Sequence, residues 1–311
     1  MIKSHFEQQH SCPLCNLATA QAKSLFSLQQ MDMCVNVLEC PVCGLAYKEY
    51  FPAAELLAEI YGTGYVHHKI EDHSKDKQSV LRLNRMGKVS GLKLLDYGCG
   101  SGQLVMRALA CGSDSYGADP FLPDGLLDAK YNGRFLKYSA LSGDILPNGP
   151  FDIISMWAVL EHLEHPRHIL EGLLANLAHG GKLIFNVPNA HSMIARKKGA
   201  NWQIALLIEH LVFFTKKTIH YIAKKYKLKV VTLKNCGTPY PLGAALPSMS
   251  SYGFRGYDES AVQQQPRSTA FLRRALSVAM PLIQSPHAGN FLRDILGVFG
   301  VGDHFFVILE K

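Results

Sequence analysis

The chain has 311 residues, of which 48% are hydrophobic and 18% charged, a composition typical of a folded globular protein and not of a disordered one. It contains no run of eighteen uncharged apolar residues, and its N-terminus lacks the apolar core of a signal peptide, so we expect a cytoplasmic protein without a transmembrane segment. The formal net charge of +7 leaves nucleic acid open as a less favoured partner, because lysines also cover the wet faces of amphipathic helices. These features predict no oligomeric state.

Two Cys-x-x-Cys pairs lie near the N-terminus, separated by 24 residues. Each pair can aim two thiolates at one tetrahedral ion, and neither lies in the βαβ pattern of a thioredoxin-like redox site. We therefore predict a zinc ribbon over residues 1–50, in which a structural Zn²⁺ fills its four positions with protein ligands. The predicted ligands are Cys12, Cys15, Cys40 and Cys43.

Residues 51–91 are predicted to join the ribbon to the next domain. Pro52 can open a helix that carries Leu56, Leu57 and Ile60 on one face. The run Tyr-Gly-Thr-Gly-Tyr at 61–65 then ends this helix, because glycine is a helix breaker.

The segment from Leu94 to Leu104 has the order strand, glycine loop, helix. Glycines at alternate positions let the backbone approach a ligand, and the following helix presents unpaired N–H groups. The dinucleotide fingerprint G-x-G-x-x-G fails, because Gln103 stands at its last small position. The observed pattern instead resembles the first motif of the class I S-adenosylmethionine (SAM) dependent methyltransferases. The resemblance implies SAM as cofactor, with contacts from Asp96, Gly98, Gly100, Gly102 and Gln103.

A second short strand, Ser115 to Asp119, ends in an acid 23 positions after Asp96. Nucleotide-binding α/β folds place the carboxylate that accepts the ribose hydroxyls at about this distance, so Asp119 is the predicted ribose ligand, with Pro120 beside it. The alternative is a turn-forming aspartate before proline. In this family the acidic residue that contacts the adenine amine usually lies in the loop after the third strand, which favours Asp144. The alignment of this loop with the family pattern stays open.

The run from Phe151 to Pro166 resembles the fourth strand and following loop of ubiquinone-type O-methyltransferases, and Trp202 to His210 continues that pattern. The resemblance covers roughly residues 92–235 and implies a Rossmann-like, seven-stranded α/β sheet. It also implies that Trp157 packs against the cofactor and that Glu161 lies beside it. Methyltransferases with such a ribbon often carry a tyrosine-bearing segment that covers the cofactor, for which Tyr61 and Tyr65 are our candidates. A role in a surface turn is the alternative for both.

Methyl transfer to a hydroxyl requires an in-line acceptor and removal of a proton. His162 is the first candidate base, because it follows the fourth strand and histidine titrates near neutral pH. A structural role for His162 with Glu161 as its partner stays open. His210 is the second candidate.

The C-terminal third is predicted to complete the sheet. Thr215 should cap a helix, residues 228–233 should form strand six, and residues 300–311 should form a final antiparallel strand. The catalytic core is then 92–237 plus 300–311, and 238–299 is an insertion that shapes the acceptor pocket.

These features predict a SAM-dependent methyltransferase that acts on an O or N atom of a small or carrier-linked molecule of a secondary-metabolite or polysaccharide pathway. Three alternatives stay open: a sugar C-methyltransferase, a zinc-ribbon ribosomal RNA methyltransferase, and a non-catalytic binding protein that has kept the fold.

Overall fold

The computed structural model describes residues 5–62, 73–122, 126, 131, 133–137, 146, 148–236 and 302–311. The helices in these residues are α1 (Ala54–Gly62), α2 (His73–Met86), α3 (Gln103–Ala110), α4 (Pro166–Ala175), α5 (Met193–Lys198), α6 (Gln203–Leu206) and α7 (Lys216–Lys225). The strands are β1 (Phe6–Gln8), β2 (Lys23–Gln30), β3 (Met33–Glu39), β4 (Ala46–Lys48), β5 (Tyr50–Pro52), β6 (Lys93–Tyr97), β7 (Asp114–Asp119), β8 (Phe135–Lys137), β9 (Phe151–Trp157), β10 (Leu177–Pro188), β11 (Val212–Phe213), β12 (Lys229–Cys236) and β13 (His304–Glu310). Short 3₁₀ turns lie at Thr19–Gln21, Leu160–His162 and Gly199–Asn201.

The central sheet has seven strands in the order β12-β13-β10-β9-β6-β7-β8. All are parallel except β13, which pairs antiparallel with both of its neighbours. The predicted Rossmann-like sheet is confirmed. Because the parallel strands end at one edge, the loops after β6, β7, β9 and β10 gather there.

Helices cover both faces of this sheet. Apolar residues of α2 and α3 pack on one face, and those of α4 and α7 pack on the other. The central strand β9 is accordingly apolar along nearly its whole length, because both of its faces are buried.

Local signals in the sequence set the start of α7 and of α4, but the end of α4 differs from the sequence pattern. Thr215 caps α7 through a capping box with Thr218, and Pro166 opens α4. The apolar residues that repeat at helical spacing from Ile169 to Leu177 predict a helix that continues to the glycines at 180–181, but α4 ends at Ala175. The reason is Asn176, whose buried side chain donates to the Gly172 carbonyl and accepts from the Leu146 amide.

The N-terminal region forms a second, four-stranded sheet in the order β11-β4-β3-β2. Its outer strand β11 comes from residues 212–213, far along the chain, and pairs antiparallel with β4. Buried residues of this region, among them Leu14 and Tyr47, belong to the same apolar cluster as Leu95 and Ile154 of the central sheet. The cysteine region and the central sheet therefore share one core.

The predicted insertion, 238–299, lies outside the described residues. Among the helices that are described, none has the length and apolar character required to cross a bilayer. The division into four domains remains a prediction.

Candidate active site

The glycine loop after β6 leaves open space at one of its three glycines. Gly98, Gly100 and Gly102 all have positive φ, at 77°, 52° and 73°. A Cβ at Gly98 would lie 2.3 Å from Val159 Cγ2, and one at Gly102 would lie 2.7 Å from Phe135 Cε1. A Cβ at Gly100 would meet no atom of the described residues within 4 Å. The loop is therefore packed from below at two glycines and open to a ligand at Gly100.

Asp119, at the end of β7, faces this open position. One carboxylate oxygen accepts a hydrogen bond from the Gly100 amide at 2.9 Å, and the other accepts from the Phe121 amide at 2.8 Å. A carboxylate has about four acceptor sites in total, so each oxygen keeps capacity for a hydroxyl donor. Pro120 and Gln103 occupy neighbouring positions in the chain, directly after β7 and at the start of α3.

Asp96 lies beneath the loop and is only 2% exposed. It accepts a hydrogen bond from Ser155 Oγ at 2.7 Å, which joins β6 to β9. Burial raises the pKa of Asp96 to about 6, while the hydrogen bond from Ser155 opposes that shift. The hydrogen bond thus holds the Asp96 carboxylate against β9, two residues before the glycine loop.

Trp157 ends β9, and its ring is already well packed. It stacks on Phe306 with 6.0 Å between ring centres, and the Arg82 guanidinium lies 5.4 Å from its centre. The contact with the cofactor that the sequence predicts would have to be made by the part of the Trp157 ring that Phe306 and Arg82 do not cover.

A cluster of three titratable side chains lies beyond β9; we call Glu161, His162 and His210 the edge cluster. Glu161 and His162 stand in the 3₁₀ turn after β9, and the His162 and His210 rings meet edge to face at 4.6 Å. One nitrogen or oxygen from each residue lies within 4.8 Å of the others. The two candidate bases are therefore brought together with Glu161.

Two members of the edge cluster, Glu161 and His210, are buried and incompletely paired among the described residues, while His162 is half-buried. Glu161 is 1% exposed, and neither of its carboxylate oxygens has a hydrogen-bond partner among the described residues; the same holds for His210 Nδ1. Burial raises the pKa of Glu161 to about 7. Burial, and next the neighbouring His162, hold the pKa of His210 well below its usual range, so His210 is neutral. Such a set can exchange protons near neutral pH, and it could also hold a divalent cation.

Tyr61, at the end of α1, reaches into the edge cluster. Its hydroxyl lies 3.1 Å from His162 Nδ1, and its ring stacks on Phe121 with 5.1 Å between centres. Phe121 follows Asp119, so Tyr61 joins the two parts of the site. The sequence marked this tyrosine-bearing segment but did not predict the contact with His162. The other predicted contacts, Tyr65 and Asp144, lie outside the described residues.

The four-stranded N-terminal sheet, in which we predicted a zinc ribbon and which we call the ribbon sheet, holds the loop that carries His210. Lys48 on β4 is fully buried, and its ammonium donates to the Leu207 carbonyl at 2.6 Å. The Lys48 amide donates to the Leu211 carbonyl, and the Leu211 amide donates to the Glu161 carbonyl at 2.7 Å. Backbone hydrogen bonds thus run from the ribbon to the edge cluster. Sequence reasoning missed Lys48, because a lone lysine in a strand matches no motif.

The four N-terminal cysteines converge on one point. Cys12 and Cys43 have their sulfurs 3.5 Å apart, Cys15 and Cys40 have theirs 3.4 Å apart, and all four sulfurs lie within 4.8 Å of one another. These separations exceed a disulfide bond of about 2.05 Å and suit four thiolates around one ion. The cluster could hold a metal.

Residues 69–233 match a family model described as a methyltransferase domain. This match covers more than half of the chain. The chain belongs to this methyltransferase family. The identification of a class I SAM-dependent methyltransferase from sequence, and with it the prediction of a transferase enzyme, is confirmed.

The methyltransferase is similar to curated relatives over part of its length. It is 33% identical over 132 residues to the mitochondrial ubiquinone biosynthesis O-methyltransferase of Schizosaccharomyces pombe, covering 40% of this chain and 45% of the relative. It is 26% identical over 144 residues to the ubiquinone biosynthesis O-methyltransferase of Idiomarina loihiensis, covering 44% and 56%. The chain thus spans about half the length of these relatives.

Among solved structures, a SAM-dependent methyltransferase from Archaeoglobus fulgidus has a TM-score of 0.47 and 16% identity, covering 76% of this chain and 94% of that one.

Proposed function

We propose that this methyltransferase transfers the methyl group of SAM to an O or N atom of a small or carrier-linked acceptor. The observation that carries the proposal is a pairing of two features. Gly100, beside Asp119, has no described atom within 4 Å of the place that a Cβ would take. At the end of the neighbouring strand β9, Glu161 and His210 are buried and keep polar atoms that have no partner among the described residues. Relatives named as ubiquinone biosynthesis O-methyltransferases support an oxygen acceptor.

The residues around the glycine loop fit the cofactor. Bound SAM supplies a methyl group that its sulfonium activates. Asp119 would accept the ribose hydroxyls through its remaining lone pairs, and Gly100 allows the close approach of the nucleoside. Asp96 would keep the loop in place, and the predicted contact of Gln103 lies at the start of α3.

The edge cluster would receive the proton that the acceptor loses. If His162 Nδ1–H donates to the Tyr61 oxygen, the neutral imidazole carries its lone pair on Nε2, which is then the nitrogen that would take the proton of an acceptor hydroxyl. Glu161, with a pKa of about 7, can take up a proton near neutral pH, and neutral His210 can pass one on. We therefore assign His162 as the first candidate base, His210 as the second, and Glu161 as their acidic partner.

We also propose that the four N-terminal cysteines hold a structural Zn²⁺. Four thiolates fill a tetrahedral site, so the ion would have no open position for chemistry. Its role would be to fix the ribbon sheet, whose strand β4 contacts the His210 loop.

Calorimetric titration with S-adenosylhomocysteine tests the cofactor site. We expect the wild type to bind and Asp119→Ala to bind at least about tenfold more weakly, because a carboxylate that accepts hydroxyls contributes on the order of 1.5–3 kcal/mol. Asp114→Ala is the matched control, since Asp114 begins the same strand but pairs with Arg134 on the surface. A folded wild type that does not bind would favour the non-catalytic alternative.

Methyl transfer to candidate acceptors then tests the chemistry. Transfer to a hydroxyl or amine that is lost in His162→Asn, with binding of S-adenosylhomocysteine retained, supports the assigned base. Transfer to a sugar carbon would favour the C-methyltransferase alternative. Loss of activity on chelation, with zinc still bound by the cysteines, would assign a divalent cation to the edge cluster.

A further inference from the structure

A pocket opens at the edge of the central sheet where the parallel strands end, away from the glycine loop. Its volume is about 360 Å³. It is lined by His191, Ser192, Met193, Arg196, Lys197 and Asn235. We call it the basic pocket, because its lining, as far as the described residues form it, includes two cations and no carboxylate.

The basic pocket and the edge cluster lie at the same edge of the central sheet. Its residues follow β10 and end β12, and the Asn189 side chain, directly after β10, donates to Asn235 Oδ1 at 3.1 Å. Between these strands stands β13, whose first residue His304 pairs with Pro188 and Cys236 and interacts electrostatically with Glu161. Strands lie about 4.8 Å apart, so the three intervals from β12 to β9 span about 14 Å.

The walls of the basic pocket are held firmly. Ser192 caps α5 by accepting from the Ala195 amide at 3.0 Å, and the His191 ring contacts Glu39 of the ribbon at 2.7 Å. Asn189 Oδ1 accepts from the His191 amide at 2.9 Å. The two cations of α5 are therefore carried on a backbone that three separate contacts position.

The charge of the basic pocket is not neutralised by the described part of the chain. Arg196 and Lys197 are exposed, and no described carboxylate lies within ion-pair distance of either. Glu39 contacts the lining through His191, whose Nε2 lies 2.7 Å from a Glu39 carboxylate oxygen. An arginine fork next to an ammonium matches the charge and geometry of a phosphate group.

We propose that the basic pocket binds a phosphate group of the acceptor, so that the substrate is a phosphorylated or phosphate-carrier-linked small molecule. This inference rests on the proposed function, because it places the phosphate on the molecule that is methylated. The strand spacing puts the phosphate about 10–15 Å from the atom that reacts at the edge cluster. A phosphate held there would fix the acceptor by one end while the other end reaches His162.

The test is calorimetric titration of the full-length, zinc-loaded enzyme with pyrophosphate, in the presence of saturating S-adenosylhomocysteine. The double variant Arg196→Ala/Lys197→Ala should bind pyrophosphate at least about tenfold more weakly, since charge-assisted hydrogen bonds are among the stronger contacts. The matched control is Lys224→Ala/Lys227→Ala, which also removes two exposed positive charges but lies at the end of α7. The control should change binding less than about twofold.

Each outcome decides the proposal. Absence of pyrophosphate binding by the wild type, or equal weakening in both double variants, would overturn it. An RNA oligonucleotide that binds through Arg196 and Lys197 and excludes pyrophosphate would also overturn it, in favour of a nucleic-acid partner. Binding of S-adenosylhomocysteine is measured on the same samples, so a failed cofactor site is distinguished from a failed phosphate pocket.

Discussion

The cysteine cluster and the edge cluster each gather ligand-type side chains within 4.8 Å, but they differ in how they are built. The cysteine cluster takes four equivalent thiols from two local turns, and every one of them has a sulfur neighbour at about the separation of a tetrahedral site. The edge cluster takes three different side chains from segments 48 positions apart and leaves both Glu161 oxygens without partners in the described residues. In a structural site the polar atoms have partners within the site itself, whereas in a reactive site some polar atoms stay available to bind the substrate.

The two clusters are also connected. Lys48 and Leu211 link β4 of the ribbon to the Glu161 backbone through hydrogen bonds. Disturbing the cysteine cluster should therefore reach the edge cluster, while disturbing the edge cluster should leave the ribbon intact.

Cys40→Ser gives the largest expected effect. It removes one of four metal ligands, so we expect bound zinc to fall from about one equivalent to near zero and the free energy of unfolding to drop by on the order of 5 kcal/mol or more. Methyl transfer should be lost with it. Cys34→Ser, at an exposed cysteine of β3, is the control. Metal analysis, denaturant unfolding and an activity assay check this; full activity in metal-free Cys40→Ser would break the link between the clusters.

Glu161→Gln should lower methyl transfer by about 10²–10⁴-fold, the usual contribution of proton transfer. It should also stabilise the protein above neutral pH. The native pKa of about 7 exceeds the ordinary 4.5, so the wild type loses stability as pH rises from 4.5 through 7.

The gain for Glu161→Gln should reach up to about 3 kcal/mol at pH 8 and shrink towards zero at pH 4. Denaturant unfolding at both pH values measures it. Glu7→Gln, at an exposed glutamate of β1, is the control. A variant that is less stable than wild type at pH 8 would mean that the Glu161 charge is compensated, for example by a cation.

Lys48→Met tests the connection itself. Burial lowers the pKa of Lys48 to about 7, with Glu209 opposing the shift, while the unfolded chain keeps a value near 10.5. The contribution of Lys48 to the free energy of unfolding is therefore most favourable above pH 10.5, and it decreases as the pH falls from 10.5 through 7. Relative to the variant, the wild type should gain about 2 kcal/mol between pH 7 and 9. Parallel unfolding profiles of the two proteins would contradict this, and Lys23→Met, at an exposed lysine of β2, is the control.

Tyr61→Phe has the smallest expected effect. It removes the hydroxyl near His162 Nδ1 but keeps the ring against Phe121. One hydrogen bond contributes about 0.5–1.5 kcal/mol, so kcat should fall by about two- to tenfold with unchanged binding of S-adenosylhomocysteine. The pH profile of kcat should shift as well, because His162 loses a neighbour. An unchanged profile would leave Tyr61 as a packing residue only.

Local patterns predicted much of this molecule. The glycine loop, the acid at the end of β7 and the capping Thr215 each depend on residues close together in sequence, and each lies where the pattern indicated. The Cys-x-x-Cys pairs belong to the same class, because a turn of four residues determines where both thiols point.

Contacts between segments that are far apart in the chain could not be predicted from such local patterns. No periodicity indicates that Val212 and Phe213 complete the sheet of β4, or that Lys48 holds the Leu207 carbonyl. The early end of α4 depends on Asn176 bonding to Leu146, thirty residues before it. The family pattern pointed to a histidine at position 210 but not to its approach to Glu161, because the residues themselves carry no signal of that distance.

The pairing of β4 with β11 has a consequence for how the protein is made. During synthesis the cysteine turns and strands β2 to β4 emerge first, yet the outer edge of β4 has no partner until residues 212–213 have left the ribosome, roughly 165 residues later. At 5–20 residues per second this wait lasts about 10–30 s, during which an unpaired strand edge is open to other chains. Early capture of a metal ion by the nascent cysteine turns would hold that strand in place until its partner arrives.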